Sequence, residues 1–362
     1  MHLTRACVVL ALLLPLGACA DDGPEPTGRA APTTTSAAPA PSTSSPAAGV
    51  RTTSPEVVAT GLEAPWGIAF LPDGDALVSE RDTTRIVRVP AGGGPPVEVR
   101  RMSEARPAGE GGLLGLAVSP EFATDGMVYA YLTAEDDNRV VRFPLEGGSA
   151  VPVVTGIPKG TVHNGGRIAF GPDGNLYVGT GDVGDRSLAQ DRDSLGGKVL
   201  RVTPDGEPVD GTKVFTLGHR NVQGLAFDSS GRLWATEFGQ NRLDEVNVLK
   251  VGGNYGWPLI EGVGDDARFV DPVTTWSTDQ ASPSGGAVVG DSFWVAALRG
   301  QRLWRVPLAS PGSRTALFEG DFGRLRAAAT APDGSLWVLT SNRDGRGSPV
   351  AEDDRVLRLA PA

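Results

Sequence analysis

Six segments of the chain share one pattern, and this repetition limits the possible folds more than any other feature. Each segment contains a short apolar run, a tight turn and a second apolar run, and the turn is Pro-Asp-Gly in three of them. A small residue inside each first run marks the repeat at Ala69, Ala117, Ala169, Ala226, Ala287 and Ala329. The markers stand 48, 52, 57, 61 and 42 residues apart. Spacings of roughly 40 to 60 residues are typical of β-propeller blades, which contain four strands each.

The repeat therefore predicts an all-β fold, a six-bladed β-propeller. With 49 Gly and 29 Pro, the chain has few stretches in which a helix would be stable. The final run, residues 354–359, has no turn partner in the last repeat. We expect it to share a blade with a first strand near residues 56–60, because such closure removes the exposed edges of an open array. The alternative is an irregular β-sandwich in which the turns recur by chance.

The first eighteen residues have the plan of a secretory signal peptide. Arg5 precedes an apolar run at residues 8–16, and Gly17 and Ala18 precede Cys19. The run is about half the ~20 apolar residues that a membrane-spanning helix needs. A cysteine after Leu-Gly-Ala resembles the bacterial lipoprotein box, which implies cleavage before Cys19 and lipid on its thiol. The alternative is an ordinary signal peptide with a coincidental cysteine.

Residues 19–49 are rich in Pro, Thr, Ser and Ala and contain too little apolar mass to offset the entropy of ordering. We expect this segment to be a disordered tether between the lipidated Cys19 and a propeller at residues 50–362. The predicted location is extracytoplasmic, at the bacterial cell membrane, with the lipid as the only anchor. Cys7 and Cys19 are the only cysteines, so the propeller has no disulfide. A formal net charge of −10 without a basic run argues against nucleic-acid binding.

Two histidines follow the signal peptide, and both lie in Gly- and Asn-rich segments just before the first strand of a repeat. His163 lies in VHNGGRIAF and His219 in LGHRNVQGLAF. In a propeller such entry segments line one end of the central channel, where groups from several blades converge. A functional site at the two histidines is one hypothesis, and a structural role is the other.

Longer motifs resemble those of the soluble glucose dehydrogenases and aldose sugar dehydrogenases that depend on pyrroloquinoline quinone (PQQ), the glucose/sorbosone dehydrogenase family. The resemblance extends from Leu62 to about Leu359. Its most specific parts are GHRNVQGLAFD and DEVNVLKVGGNYGWP, accompanied by GEGGLLGLAVSPEF, HNGGRIAFGPDGNLYVGTGD, SPSGG, ALRG and the pair Arg324-x-Arg326. The family has a six-bladed propeller, the fold that the repeats predict on their own.

The resemblance implies a role for each matching residue. His163 matches the family's general base, which removes the proton of the sugar's anomeric hydroxyl while hydride passes from C1 to PQQ. Guanidinium groups would pair with the cofactor's carboxylates, and Arg299 stands where the family commonly has Lys. The residues assigned to cofactor binding are Arg220, Asn221, Arg299, Arg324, Arg326 and Glu110.

Calcium is the second cofactor that the resemblance implies. The backbone carbonyls of Gly239 and Gln240 match those that hold the ion against PQQ. Asp244, Glu245 and Tyr255 fall in the region of a second, structural Ca²⁺ site. Ca²⁺ prefers about six to eight oxygen ligands, so carboxylates mixed with loop carbonyls suit it. The alternative is that Asp244 and Glu245 form turn hydrogen bonds or surface ion pairs.

Three departures from the family pattern concern affinity and substrate. Glu110 replaces a Gln and adds negative charge near an anionic cofactor. Val162 replaces an acidic neighbour of the base, so we expect the imidazole to lack an orienting partner. The segment before SPSGG lacks an aromatic residue that stacks on PQQ in some members, and Trp276 is displaced from that place. The GTGDVGD segment is interpreted as a blade loop, with Asp182 a ligand or a turn residue.

These observations predict PQQ- and Ca²⁺-dependent oxidation of aldose sugars to lactones at the extracytoplasmic face of the membrane. His163 is the expected general base, and the electron acceptor is unidentified. One alternative is a non-catalytic propeller lipoprotein that binds a cell-envelope ligand or protein. Another is a calcium-dependent lactone hydrolase, which would need carboxylates along the axis where this sequence offers mostly arginine.

Overall fold

The computed structural model describes residues 49–362, which form six four-stranded antiparallel sheets. The predicted signal peptide, Cys19 and the tether up to residue 48 lie outside the described residues. Strand β1 (Glu56–Ala59) comes first in the chain, and the sheets follow as blades 1 to 6. The helical elements in residues 49–362 are one short helix, α1 (Phe122–Asp125), and a single 3₁₀ turn at Arg186–Ala189.

The first three blades contain, in order, β2 (Pro65–Phe70), β3 (Ala76–Glu80), β4 (Arg85–Val89) and β5 (Val97–Arg101); β6 (Leu113–Val118), β7 (Met127–Thr133), β8 (Asn138–Pro144) and β9 (Val151–Ile157); and β10 (Ile168–Phe170), β11 (Leu176–Gly179), β12 (Lys198–Val202) and β13 (Val214–Leu217). The last three contain β14 (Val222–Phe227), β15 (Leu233–Glu237), β16 (Leu243–Leu249) and β17 (Thr274–Ser277); β18 (Pro283–Val289), β19 (Ser292–Ala297), β20 (Arg302–Pro307) and β21 (Thr315–Leu317); and β22 (Leu325–Thr330), β23 (Leu336–Thr340) and β24 (Val356–Leu359). Strand β1 completes blade 6.

The six marker alanines occupy equivalent places, which confirms the predicted repeat. Each lies in the innermost strand of its blade and lines a central channel of about 540 Å³ to which all six inner strands contribute. Opposite five of the markers, on the second strand, stand the large side chains Tyr129, Tyr177, Trp234, Trp294 and Trp337. At the marker positions the inner strands carry a small residue, and in five blades the second strand carries a large one opposite it.

The large second-strand residues hold neighbouring blades together. Tyr129 meets Phe170 of the next blade edge to face at 5.0 Å, and Trp337 meets Phe70 in the same way at 5.1 Å. The buried apolar residues of the described chain form six clusters, and each cluster joins two adjacent blades. The core is therefore a ring of inter-blade contacts, since burial of apolar surface is the main favourable term in folding.

Antiparallel order places the connections at two ends of the ring. Links from the second to the third strand, and from the outer strand to the next inner strand, fall at one end, here called the site end. His163 and Arg220 precede inner strands and Asp182 follows a second strand, so all three lie at the site end. The described chain begins at the opposite end, where Val50 pairs with Pro361. No helix within residues 49–362 is both long enough and apolar enough to cross a bilayer.

Ring closure occurs as the sequence predicts. Strand β1 pairs with β24, with Val57 opposite Leu357, so the N-terminal strand completes the C-terminal blade. Val58 and Ala59 are buried between blades 6 and 1 in a cluster that includes Trp337. Without β1, the edge of β24 and part of that cluster would face water.

We predict that removing β1 destabilises the domain. A variant that begins at Gly61 should have a free energy of unfolding at least ~3 kcal/mol below that of a matched variant beginning at Gly49, because it loses the edge pairing and buried valine surface. Urea denaturation and size-exclusion chromatography measure both. Equal stability of the two variants would show that closure by β1 contributes nothing.

Candidate active site

His163 lies in the loop that enters β10 and has an unusual backbone. Its φ is +51°, in the left-handed region that residues other than glycine rarely occupy. Two close approaches hold it there: the carbonyl of His163 packs so tightly against Gly181 that a Cβ at Gly181 would lie 1.9 Å from it, and the His163 N–H donates to Glu110 Oε2 at 2.8 Å. The glycines of HNGG and GTGD thus allow the two loops to meet.

Both ring nitrogens of His163 have charged partners. Nδ1 lies 2.7 Å from Asp182 Oδ1, and Nε2 lies 2.9 Å from Arg220 Nη2. A guanidinium can only donate, so Nε2 accepts from Arg220 and the ring proton resides on Nδ1, which donates to Asp182. The neutral imidazole therefore directs a lone pair from Nε2 toward the site end.

Asp182 is an anionic support for this imidazole. It is buried, and its Oδ1 also accepts from the N–H of Gly184 at 2.9 Å, while its Oδ2 accepts from the indole N–H of Trp257 at 2.9 Å. Burial alone would raise the pKa of Asp182, but the hydrogen bonds from His163, Gly184 and Trp257 lower it. The expectation that the imidazole lacks an orienting partner is therefore wrong: Asp182 takes the place left by Val162.

A cavity of about 260 Å³ at the site end is strongly basic. Its charged lining consists of Arg81, Arg299, Arg324, Arg326, Arg346 and Glu110. Asp344 Oδ2 accepts from Arg324 at 3.0 Å and from Arg326 at 3.3 Å, so one carboxylate serves two guanidinium groups. Burial lowers the pKa of Arg326 to about 10, which leaves it charged at neutral pH.

Glu110 is neutralised where it stands. Its Oε1 lies 3.1 Å from Arg346 Nη2, and its Oε2 holds the backbone of His163. The negative charge that this position adds to the family pattern is thus paired with the positive charge of Arg346. Sequence reasoning assigned no role to Arg346, or to Arg81, which ends the family-like segment LEAPWGIAFLPDGDALVSER.

Several of the predicted cofactor contacts have buried donors without a partner. Arg220 Nε, Asn221 Nδ2 and Arg326 Nε make no hydrogen bond among the described residues. Asn221 uses only its oxygen, which accepts from the N–H of Gly165 at 3.0 Å. Unpaired buried donors are costly, so these three groups point to a ligand with acceptor atoms.

The predicted calcium region lies in the loops around β16. Asp244 accepts from the N–H of Gly239 on one oxygen and from the N–H of Ser282, in the next blade, on the other. Glu245 accepts from Gly262 and Asn247. Burial raises the pKa of Asp244 to about 6, and burial together with Glu237 raises that of Glu245 to about 8. Among residues 49–362, no three His, Cys, Asp or Glu side chains are grouped to hold a metal, and the metal roles stay predictions.

The backbone carbonyls of Gly239 and Gln240 differ from these carboxylates because they have no hydrogen-bond partner within the described part of the chain. No described residue donates a hydrogen bond to the carbonyl oxygen of Gly239 or Gln240. Their N–H groups are held instead by Asp244 and by Glu261, whose Oε1 accepts from Gln240 at 2.7 Å. Tyr255 donates from its hydroxyl to the carbonyl of Val248, which anchors the following loop. The sequence carried no signal for Glu261.

His219 and Trp276 have structural surroundings. His219 is fully buried, with Nδ1 2.7 Å from Glu237 Oε2 and Nε2 2.8 Å from Thr216 Oγ1, and its ring stacks on Tyr255 at 4.8 Å. Trp276 lies on the outer strand β17 and packs on Trp304, away from the cavity. The two histidines have similar positions in sequence, but only His163 belongs to the polar array at the site end.

We predict that replacing His219 lowers stability much more than replacing His163. His219→Ala should lower the free energy of unfolding by about 2–4 kcal/mol, because it leaves a cavity and unpaired buried groups. His163→Ala should change it by about 1 kcal/mol or less, because Asp182 keeps its other donors. Denaturation of both variants under one set of conditions tests the assignment, and equal losses would contradict it.

Comparison with known proteins agrees with these features. The sequence profile of the family Glucose / Sorbosone dehydrogenase matches residues 62–351. The PQQ-bound form of aldose sugar dehydrogenase from Streptomyces coelicolor is 52% identical in sequence, with a TM-score of 0.82 and coverage of 87% of this chain and 99% of that one.

Two curated relatives also match. The aldose sugar dehydrogenase of Escherichia coli is 27% identical over 81% of this chain and 91% of its own length. The quinoprotein glucose dehydrogenase B of Acinetobacter calcoaceticus is 31% identical over 59% of this chain and 54% of its own. The family profile spans nearly the whole propeller, including the loops that hold His163, Asp182 and Arg220, and the chain thus belongs to the Glucose / Sorbosone dehydrogenase family.

Proposed function

We propose that this chain oxidises aldose sugars to lactones with PQQ bound in the basic cavity and His163 as general base. The observation that carries the proposal is the array Trp257–Asp182–His163–Arg220 beside a cavity lined by five arginines. The Streptomyces coelicolor relative, whose printed description includes bound PQQ, supports the choice of cofactor.

The residues present suit PQQ. The cofactor is a planar quinone with three carboxylates, and arginine forks bind carboxylates through paired hydrogen bonds. Arg299, Arg324 and Arg326 supply such groups on one wall of the cavity. The unpartnered donors on Arg220, Asn221 and Arg326 are free to bond quinone and carboxylate oxygens. When bound, PQQ supplies the acceptor for the hydride that leaves C1 of the sugar.

His163 provides the base that this chemistry needs. Its Nε2 lone pair can take the proton of the sugar's anomeric hydroxyl, which makes the C1 hydrogen a better hydride donor. The hydroxyl must first replace Arg220 as the donor to Nε2. Asp182, kept anionic by its three donors, then stabilises the imidazolium and maintains its orientation.

Calcium enters the proposal at the loop carbonyls rather than at the side chains. The free carbonyls of Gly239 and Gln240 are hard oxygen ligands of the kind Ca²⁺ takes, and Arg220 donates to the neighbouring carbonyl of Phe238 at 3.3 Å. Asp244 accepts one backbone N–H group on each oxygen, which leaves each oxygen a lone pair for an ion, and its role as a ligand stays a prediction. The non-catalytic and hydrolase alternatives have less support, because neither accounts for the Asp182–His163 pair or for the arginine-lined cavity.

We predict that His163→Ala and Asp182→Asn bind PQQ as the unchanged chain does but oxidise sugars about 10²- to 10⁴-fold more slowly. Absorbance titration with PQQ, with and without added Ca²⁺, measures binding. Reduction of a dye with a panel of aldoses measures turnover. His219→Gln, made at the structural histidine, is the matched control. Failure of the unchanged chain to bind PQQ or to oxidise any aldose would overturn the proposal.

We further propose that the protein is a lipoprotein anchored through Cys19 outside the cytoplasm. The N-terminal sequence plan supports this: Arg5, an apolar run and the small residues Gly17 and Ala18 precede Cys19.

We predict that Cys19→Ala moves the protein from the membrane fraction to the soluble fraction and abolishes labelling by a fatty-acid analogue. Lipid attachment needs the thiol of Cys19. A variant without that thiol lacks the proposed anchor, so we expect none of it to remain in the membrane fraction. Cys7→Ala, which alters the other cysteine, should change neither readout. Unchanged membrane association of Cys19→Ala would contradict the lipoprotein assignment.

A further inference from the structure

Arg167 is a buried cation that the proposed mechanism leaves unused. It follows the HNGG loop and precedes β10, and its side chain contacts residues of blades 1 and 4. Its guanidinium carbon lies 4.3 Å from the centre of the Trp66 ring, and its Nε donates to the carbonyl of Gln223 at 2.7 Å. Trp66 and Gln223 both line the cavity, while Arg167 lines the channel beneath. Arg167 therefore forms the layer between cavity and channel.

The guanidinium of Arg167 lies beside a close contact between blades 5 and 6. A Cβ at Gly285 would lie 2.8 Å from the Cα of Ala327 and 2.9 Å from Arg167 Nη2, so glycine there permits the two blades to approach beside the guanidinium. The side chain reaches from blade 3 to groups on blades 1, 4 and 5, and it closes the floor of the cavity. A sealed floor keeps the cavity apart from the channel, but an apolar side chain of similar length would also seal it.

The charge of Arg167 is uncompensated. Within residues 49–362 no carboxylate pairs with it, and its Nη2 has no hydrogen-bond partner. Burial, with the repulsion of Arg326, lowers its pKa to about 9, which still leaves it charged at neutral pH. A buried charge without a counter-ion lowers stability unless another component of the native state supplies the opposite charge.

We infer that Arg167 is a charge-recognition residue for the anionic cofactor, acting through the cavity floor without touching the ligand. The inference rests on the proposed function. A cofactor with three carboxylates above Trp66 and Gln223 would supply the negative charge that Arg167 lacks. Without cofactor, the buried cation lowers the stability of the domain. With cofactor bound, its attraction to the carboxylates offsets that loss and strengthens binding.

This account predicts two effects of opposite sign for Arg167→Met, which keeps the length of the side chain and removes its charge. The unfolding temperature of the cofactor-free protein should rise by about 2–6 °C, because an uncompensated buried cation is gone. The dissociation constant for PQQ should rise roughly 10- to 100-fold, because a charge in a poorly solvated position is lost. A purely structural arginine would give a fall in unfolding temperature.

Three further variants sharpen the test. Arg167→Lys keeps the charge and should bind PQQ within about threefold of the unchanged chain. Arg232→Met removes an arginine paired with Asp228 on a hairpin at the opposite end and should leave PQQ binding unchanged. Arg167→Gln, polar and neutral, should weaken binding as Met does.

The outcomes separate the inference from the function on which it rests. Unchanged PQQ binding by Arg167→Met would overturn the inference alone, as would a fall in unfolding temperature or a failure of Met and Gln variants to fold. If the unchanged chain binds no PQQ, the proposed function fails first and the inference fails with it. Thermal unfolding by circular dichroism and PQQ titration by absorbance give both readouts on the same preparations.

Discussion

The pairing of β1 with β24 joins the two ends of a ring in which every blade depends on both neighbours. A single blade exposes two apolar faces, and each buried cluster of the described chain fills the space between two blades. Closure also positions the site, because Arg346 of blade 6 reaches across blade 1 to Glu110 at the entrance to blade 2. An open ring would separate these two residues and with them one wall of the cavity.

Within the closed ring, the site concentrates positive charge where water is scarce. Asp344 is shared by Arg324 and Arg326, and Glu110 by Arg346 and the His163 backbone, so counter-charges are fewer than guanidinium groups. Such an arrangement is unfavourable for an empty protein and favourable for one that binds a polyanion. The charge that opposes folding is thus the charge that selects the ligand, and Arg167 is the clearest instance.

The base, by contrast, has a hydrogen-bond partner on each ring nitrogen. Asp182 accepts from three donors and orients His163, whose tautomer is determined by Arg220. Trp257 connects this array to the loop that follows β16, and Glu261 of that same loop accepts from Gln240 in the preceding loop, where calcium is proposed. The indole of Trp257 therefore links the base to the loop that follows β16.

Much of the fold could be predicted from the sequence because its physical cause repeats: six inner strands carry a small marker residue, and in five blades an aromatic residue stands opposite it. The closing strand was predictable because the last repeat lacked a partner. Asp182 could not be assigned, since its contact with His163 depends on the close approach at Gly181. Arg346 carries no local signal, because only the ring brings it to the cavity. The two histidines have like motifs, and burial alone distinguishes them.

The most direct test of the account is a crystal structure of the chain with PQQ and Ca²⁺. The account predicts density for the cofactor in the basic cavity, with its carboxylates on Arg299, Arg324 and Arg326 and its quinone edge facing His163 Nε2. A cavity that stays empty at saturating PQQ, or cofactor bound away from His163, would contradict it.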